Sequence, residues 1–236
     1  MSTDTAHVAA NWAEVRQRVD DACRAAGRDP ATVGILPVSK TFGPEVIRAA
    51  VALGQRRFGE NRVQEIRDKA AALADCGIDW VVIGHLQTNK ARDVARLASE
   101  VQSLDRLELA LALHRQLQQA GRSIDVLVQV KTSPEPSKYG LAPEQLPAFL
   151  EVLRACDTLR VRGLMTLAIH SDEAAAVRGC FGLLRQLRDQ AVALGHDLPR
   201  LSMGMSGDFP LAIAEGATEL RIGTAIFGGR AYSPPS

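Results

Sequence analysis

Net charge is almost missing from this chain: 28 Lys and Arg stand against 27 Asp and Glu in 236 residues, a formal charge of +1. That balance excludes a binder of nucleic acid that works by bulk electrostatics. Cysteine is scarce too. Cys23, Cys76, Cys156 and Cys180 are scattered, with no C-x-x-C pair and no histidine at ligand spacing. The pattern argues against a zinc site and a disulfide framework, and it fits a reducing cytoplasm. No apolar run approaches the ~20 residues needed to cross a bilayer. Met1 to Ala10 carries Asp4 and no apolar core, so no signal peptide is expected. Internal repeats are absent, and residues 1–10 and 231–236 read as loose ends of a single domain spanning 1–236.

What is present is a regular alternation. Residues 11–26 carry Trp12, Val15, Val19, Ala22 and Cys23 at helical spacing and close on Gly27. Strand-like runs follow at 33–39, 57–59, 79–84, 100–104, 124–130, 159–167, 198–203 and 219–222. Between and after them lie helical patterns at 45–53, 63–74, 89–98, 107–119, 143–155, 174–194 and 209–215, with a short one from Thr224. Strict alternation implies parallel strands joined by right-handed crossovers. Eight such units predict a closed (β/α)₈ barrel preceded by one extra helix. An open doubly wound sheet would need a glycine-rich loop after the first strand, and Lys40-Thr41-Phe42-Gly43-Pro44 is not one. Pro37 lacks the N–H of a central strand, so irregular pairing is expected there.

Barrel chemistry sits at the C-terminal ends of the strands. The first strand ends in Val38-Ser39-Lys40. A lysine at the mouth of a buried strand can be desolvated, which lowers its pKa and makes its amine nucleophilic toward an aldehyde. The last two units end in Leu201-Ser202-Met203-Gly204-Met205-Ser206-Gly207-Asp208 and Arg221-Ile222-Gly223-Thr224-Ala225. Loops at these places recur as phosphate sites, where glycines admit close backbone approach and helix starts supply N–H donors. The plainer alternative makes Gly204 and Gly223 turn glycines and Ser206 a helix cap. In a closed barrel the first and eighth strands are neighbours, so a ligand with an aldehyde at one end and a phosphate at the other would span them. Pyridoxal 5′-phosphate (PLP) is such a ligand, with Arg221 placed to meet its ring nitrogen. Another phosphorylated aldehyde, such as a sugar phosphate, is a weaker reading.

Seven segments now carry a resemblance, in order from residue 38 to 230: Val38-Ser39-Lys40-Thr41; Phe58-Gly59-Glu60-Asn61 with Val63-Gln64-Glu65; Ile83-Gly84-His85-Leu86-Gln87-Thr88-Asn89-Lys90; Ser137-Lys138-Tyr139-Gly140; Gly163-Leu164-Met165-Thr166; Leu201 through Ser206; and Arg221 through Gly228. The chain closely resembles the pyridoxal-phosphate homeostasis family, which is similar to the barrel domain of alanine racemase (PLP fold type III) standing alone. The resemblance implies PLP as cofactor, Lys40 as its Schiff-base lysine, Ser206, Gly223 and Thr224 around the phosphate, and Asn61 and Arg221 near the ring. Met165, with Met203 and Met205, is expected to pack around that ring. His85 is expected to be a structural residue of the pocket wall, with a catalytic group as the alternative, and Lys138 is either a solvated lysine or a second aldehyde acceptor near the pocket mouth. The resemblance further implies handling of cellular PLP without catalytic turnover, and delivery to apo forms of PLP-dependent enzymes. An amino-acid racemase is the competing function. It would need a second proton carrier, and the only tyrosines are Tyr139 and Tyr232. Arg62, Lys131 and Pro37 depart from the family pattern. No apolar heptad asks for a partner, so a monomer is expected.

Overall fold

The computed structural model describes residues 3–135 and 138–228, with the side chains of residues 3 and 4 left aside. Eight strands run β1 (Gly34–Pro37), β2 (Arg57–Glu60), β3 (Asp79–Val82), β4 (Ala98–Leu104), β5 (Ile124–Gln129), β6 (Leu159–Met165), β7 (Arg200–Ser202) and β8 (Glu219–Ile222). The helices are α1 (Thr3–Ala25), α2 (Pro44–Ala52), α3 (Val63–Ala72), α4 (Ala91–Leu97), α5 (Leu107–Ala120), α6 (Leu146–Leu153), α7 (Ala174–Ala193), α8 (Phe209–Ala214) and α9 (Thr224–Phe227). The strands are all parallel in the order β1-β8-β7-β6-β5-β4-β3-β2. An isolated bridge between Val38 and Gly59 closes the ring between β1 and β2, so the expected (β/α)₈ barrel is the architecture.

That seam is thin for a chemical reason. Ser39 N–H donates to Gly59 O at 3.0 Å, whereas Val38 N–H turns the other way and donates to Ile222 O at 2.8 Å. Donors alternate sides along a strand, so the N–H that Pro37 lacks is one that would face β2. Pairing is therefore irregular there, as the proline implied, while Pro37 keeps its register opposite Ile222 on β8.

Helix α1 begins at Thr3, eight residues before the expected start, so residues 3–10 are not a loose end; residues 231–236 lie outside the described residues. Val8 extends the apolar stripe of Val15, Val19 and Cys23, and all four are buried. The stripe packs on α2, α8 and α9, and Asn11 Nδ2 donates to Ile226 O at 3.0 Å. At the other end Gly27 has φ +67°, and Arg28 N–H reaches back to Cys23 O at 2.8 Å, the bond of a glycine-terminated helix.

The barrel's N-terminal end is filled by ion pairs. Arg57 bonds Glu219 at 2.8 Å and Glu100 at 2.7 Å; Arg200 bonds Glu100 at 2.9 Å and Glu219 at 3.0 Å. At Arg57, Arg200 and Glu219 burial works against charge, but the opposite charges outweigh it. Arg57 and Arg200 are raised, and the Glu219 carboxyl is lowered. Above this floor Gln102 donates to Glu100, Ser202 Oγ donates to Gln102 Oε1 at 2.7 Å, and Arg221 Nη1 donates to Ser202 Oγ at 2.8 Å. A polar column thus runs up the interior and ends beneath the C-terminal mouth.

Candidate functional site

A cavity of about 530 Å³ opens at the C-terminal mouth. Lys40, Asn61, His85, Lys138, Ser206, Arg221, Gly223 and Thr224 all line it, so strand-end residues far apart in sequence do converge there. Met165 does not. It is fully buried and off the lining, in register with Gln129 and Ser202; Leu167, two residues further out, lines the wall instead. Arg62 and Lys131 stay off the lining. Tyr139 is also on it, whereas Tyr232 and Ser137 lie outside the described residues.

Lys40 is exposed to the cavity rather than desolvated, and it has no hydrogen-bond or ion-pair partner among the described residues. It stands beyond the last ladder pair, on a turn that carries it clear of the strand wall. Lys138 is tied down instead: its Nζ donates to Ala168 O at 2.7 Å and lies 3.2 Å from Glu135. One lysine is free to react, and the other is held.

Two loops supply backbone donors. The Gly204–Asp208 loop precedes α8, and Gly223 is the residue before α9. Among the described residues the N–H groups of Ser206, Gly207, Thr224 and Ala225 have no backbone acceptor. Ser206 is not the cap of α8; Asp208 takes that place and accepts the Met205 N–H at 2.6 Å. Gly223 is more than a turn residue. A Cβ there would sit 2.9 Å from the Val38 carbonyl oxygen, so only glycine lets β8 and β1 close up at this level. Gly204 has φ +96° and would drive a Cβ to within 2.6 Å of Ala212, which fixes the loop tightly on α8.

Arg221 is 4% exposed and has no carboxylate within bonding distance among the described residues. Its Nη1 donates to Ser202 Oγ and its Nη2 to Thr166 O at 2.7 Å, which leaves Nε–H without an acceptor among the described residues. Burial pulls its pKa down to about 10, against the raising effect of Glu219 and Asp208, so it stays a cation near neutral pH. His85 lies flat against Tyr139, ring centroids 3.9 Å apart and planes 17° apart, with its Nδ1 3.6 Å from Asp105. It lines the cavity wall, with Asp105 behind it.

Sequence reasoning missed Gln129, Ile83 and Leu167 on the lining. Gln129 had a visible signal, a lone polar residue in the apolar run Val126-Leu127-Val128-Gln129-Val130. The two apolar residues had none, since any strand end looks like them.

A parallel barrel with a partnerless lysine on one strand end and unpaired backbone N–H groups on the next strand round defines a class, the racemase-type barrel. The family model described as alanine racemase, N-terminal domain, matches residues 3–231. The pyridoxal phosphate homeostasis protein of Pseudomonas aeruginosa is 46% identical over 229 residues, covering 97% of this chain and 98% of the relative. That of Aquifex aeolicus is 41% identical over 219 residues, with 92% and 96% covered. The solved structure of PipY from Synechococcus elongatus with PLP bound superposes with a TM-score of 0.82 at 38% identity, covering 94% of this chain and all (100%) of that one. The chain belongs to the alanine racemase N-terminal-domain family and, within it, to the pyridoxal phosphate homeostasis proteins.

Proposed function

We propose that this protein binds pyridoxal 5′-phosphate covalently at Lys40 and serves in its intracellular homeostasis, holding and releasing it to apo-enzymes rather than turning over a substrate. The observation that carries the reading is the pairing of a partnerless lysine with unpaired backbone donors across adjacent strands, β1 and β8, on one cavity. The residues fit the group. A phosphate dianion matches the free N–H groups at Ser206, Gly207, Thr224 and Ala225, with Gly223 giving the close approach. When bound, PLP supplies an electrophilic aldehyde and an electron-withdrawing ring.

The remaining roles belong to the chain. Lys40 supplies the amine. Arg221 lines the cavity with its Nη groups held by Ser202 and Thr166; a guanidinium is only a donor and would select a ring nitrogen that accepts. An unprotonated ring is a poor electron sink, and that suits a carrier. A carboxylate in its place would favour the protonated ring by charge pairing. Asn61 and the stacked His85–Tyr139 pair line the cavity, where they would flank the bound ring. The family names support homeostasis over racemisation, and so does the wall itself: the one tyrosine on the lining is stacked on His85. A homeostasis role supports a cytoplasmic location. Among the described residues no helix is long and apolar enough to cross a membrane. The barrel buries its own core, which suits a monomer.

The test is the visible spectrum of PLP-loaded protein before and after borohydride, with mapping of the modified peptide. Label on Lys40, and its loss in Lys40→Ala, is the expected outcome. Label on another lysine in the parent protein would overturn the assignment.

A further inference from the structure

Behind the cavity wall, on the side facing the helices, lies an ion cluster that the proposed binding site does not use. Lys69 of α3 is 7% exposed, and its Nζ donates to Glu60 Oε1 at 2.6 Å, to Ser39 O at 2.8 Å and to Glu65 Oε2 at 3.1 Å. Ser39 Oγ donates to the same Glu60 oxygen at 2.6 Å. Glu65 Oε2 also accepts the Thr41 N–H at 2.8 Å. The cluster therefore grips the residues on either side of Lys40 and leaves Lys40 itself free.

What it grips is a strained turn. Phe42 N–H donates to Ser39 O at 3.1 Å, which closes a four-residue turn with Lys40 and Thr41 at its centre. Thr41 has φ +69°, the one positive value outside glycine among the described residues. A negative φ at the first central position followed by a positive one makes a type II turn, whose second central position asks for glycine or asparagine. A β-branched residue there is strained, and such strain persists only where the surroundings over-determine it. Here the surroundings are visible: both carboxylates and the ammonium of the cluster bond the turn's backbone or its first side chain.

We infer that Glu60, Glu65 and Lys69 are positioning residues that hold the Ser39–Phe42 turn in this conformation and thereby aim the Lys40 amine into the cavity. The inference rests on Lys40 as the attachment point proposed above. Attachment joins the Lys40 nitrogen to the aldehyde carbon and releases the aldehyde oxygen as water, so it depends on where that nitrogen points. Binding of the phosphate and ring uses groups outside this turn, chiefly the loops on β7 and β8, and does not. The cluster should therefore govern covalent capture separately from non-covalent affinity.

The test compares PLP with pyridoxine 5′-phosphate, which keeps the phosphate and ring and lacks the aldehyde. Glu65→Ala, at a part-exposed helix position, removes the Thr41 acceptor with little risk to the fold; Glu65→Gln keeps an acceptor oxygen. In Glu65→Ala the preference for PLP over pyridoxine phosphate falls by about tenfold, within the roughly five- to thirty-fold by which the left-handed region is disfavoured for an L residue. Affinity for pyridoxine phosphate stays within about twofold. Glu65→Gln retains most of the preference, and Thr41→Gly in the Glu65→Ala background restores it, because glycine adopts the turn unaided. Equal losses for both ligands, an unchanged preference in Glu65→Ala, or no rescue by Thr41→Gly would each overturn the inference. Lys40→Ala runs beside these: covalent capture surviving in it sinks the attachment point and the clamp together, whereas its loss there with Glu65→Ala unaffected sinks the clamp alone.

Discussion

Replacing Gly223 by alanine tests the cradle without touching any charge. Its φ of −115° lies outside the left-handed region, and the effect followed here is one of space. The added Cβ would lie 2.9 Å from the Val38 carbonyl oxygen and 3.4 Å from the Val38 Cβ. Both belong to the wall opposite, and the nearer atom is backbone, which cannot swing aside. The end of β8 must move away from β1, and overpacking of this sort costs about 1–3 kcal/mol. For a chain of this length each 1 kcal/mol shifts Tm by about 2–4 °C, so a loss of about 4–8 °C is expected for a mid-range cost of 2 kcal/mol. Gly207 provides the control, since it lines the same cavity and a Cβ there meets nothing within 4 Å. Differential scanning calorimetry of the unliganded proteins should separate the two, with Gly207→Ala at the parent Tm. Isothermal titration with PLP should show Gly223→Ala weakened as well, because the Thr224 and Ala225 donors move with β8. Matching melting temperatures for Gly223→Ala and Gly207→Ala would refute the reasoning.

The Glu219 carboxyl is held below its ordinary value of 4.5, burial notwithstanding, by Arg200 and Arg57. Its contribution to stability is thus fully present above about pH 4.5 and is lost as pH falls through the lowered folded value. Urea unfolding from pH 7 down to pH 3 should show this loss, and Glu219→Gln should lie about 3 kcal/mol lower at pH 7 with a flatter acid limb. Parallel acid limbs for the two proteins would contradict the charge floor. Racemisation of L-alanine by PLP-loaded protein should stay at background, because a missing acid or base forfeits a factor of ~10²–10⁴. Polarimetry that finds sustained turnover, abolished in Tyr139→Phe, would make the protein a racemase.

Much of the fold was readable because each unit carries its own local signal. The β-branched run at Ile124–Gln129 and the glycine that closes α1 fall where pattern and turn chemistry put them. The convergence of Lys40, Ser206, Arg221 and Thr224 followed from topology, since a closed ring makes neighbours of its first and last strands. The misses have a common cause in tertiary context. Asn11 looked like a helix start until α8 and α9 gave Val8 something to pack on. Met165 looked like a wall residue because an apolar strand end does not tell which layer is filled and which is open. Arg57, Glu100, Gln102, Arg200 and Glu219 carry charge or polarity on strands without forming any linear motif; their mutual satisfaction exists only once four strands surround them. Thr41 gave no hint of its left-handed backbone, which is imposed by Glu65 from the neighbouring unit.

The thin seam between β1 and β2 has a further consequence, for life in a crowded solution. A closed barrel has no free edge, and any opening creates one that can pair with another chain. This ring would part where Val38 and Gly59 supply the single bridge. The edge exposed on that side of β1 carries Pro37, whose missing N–H breaks the row of donors that an incoming strand requires. The residue that weakens the closure also guards the gap, and a molecule that breathes at its seam stays a poor template for aggregation.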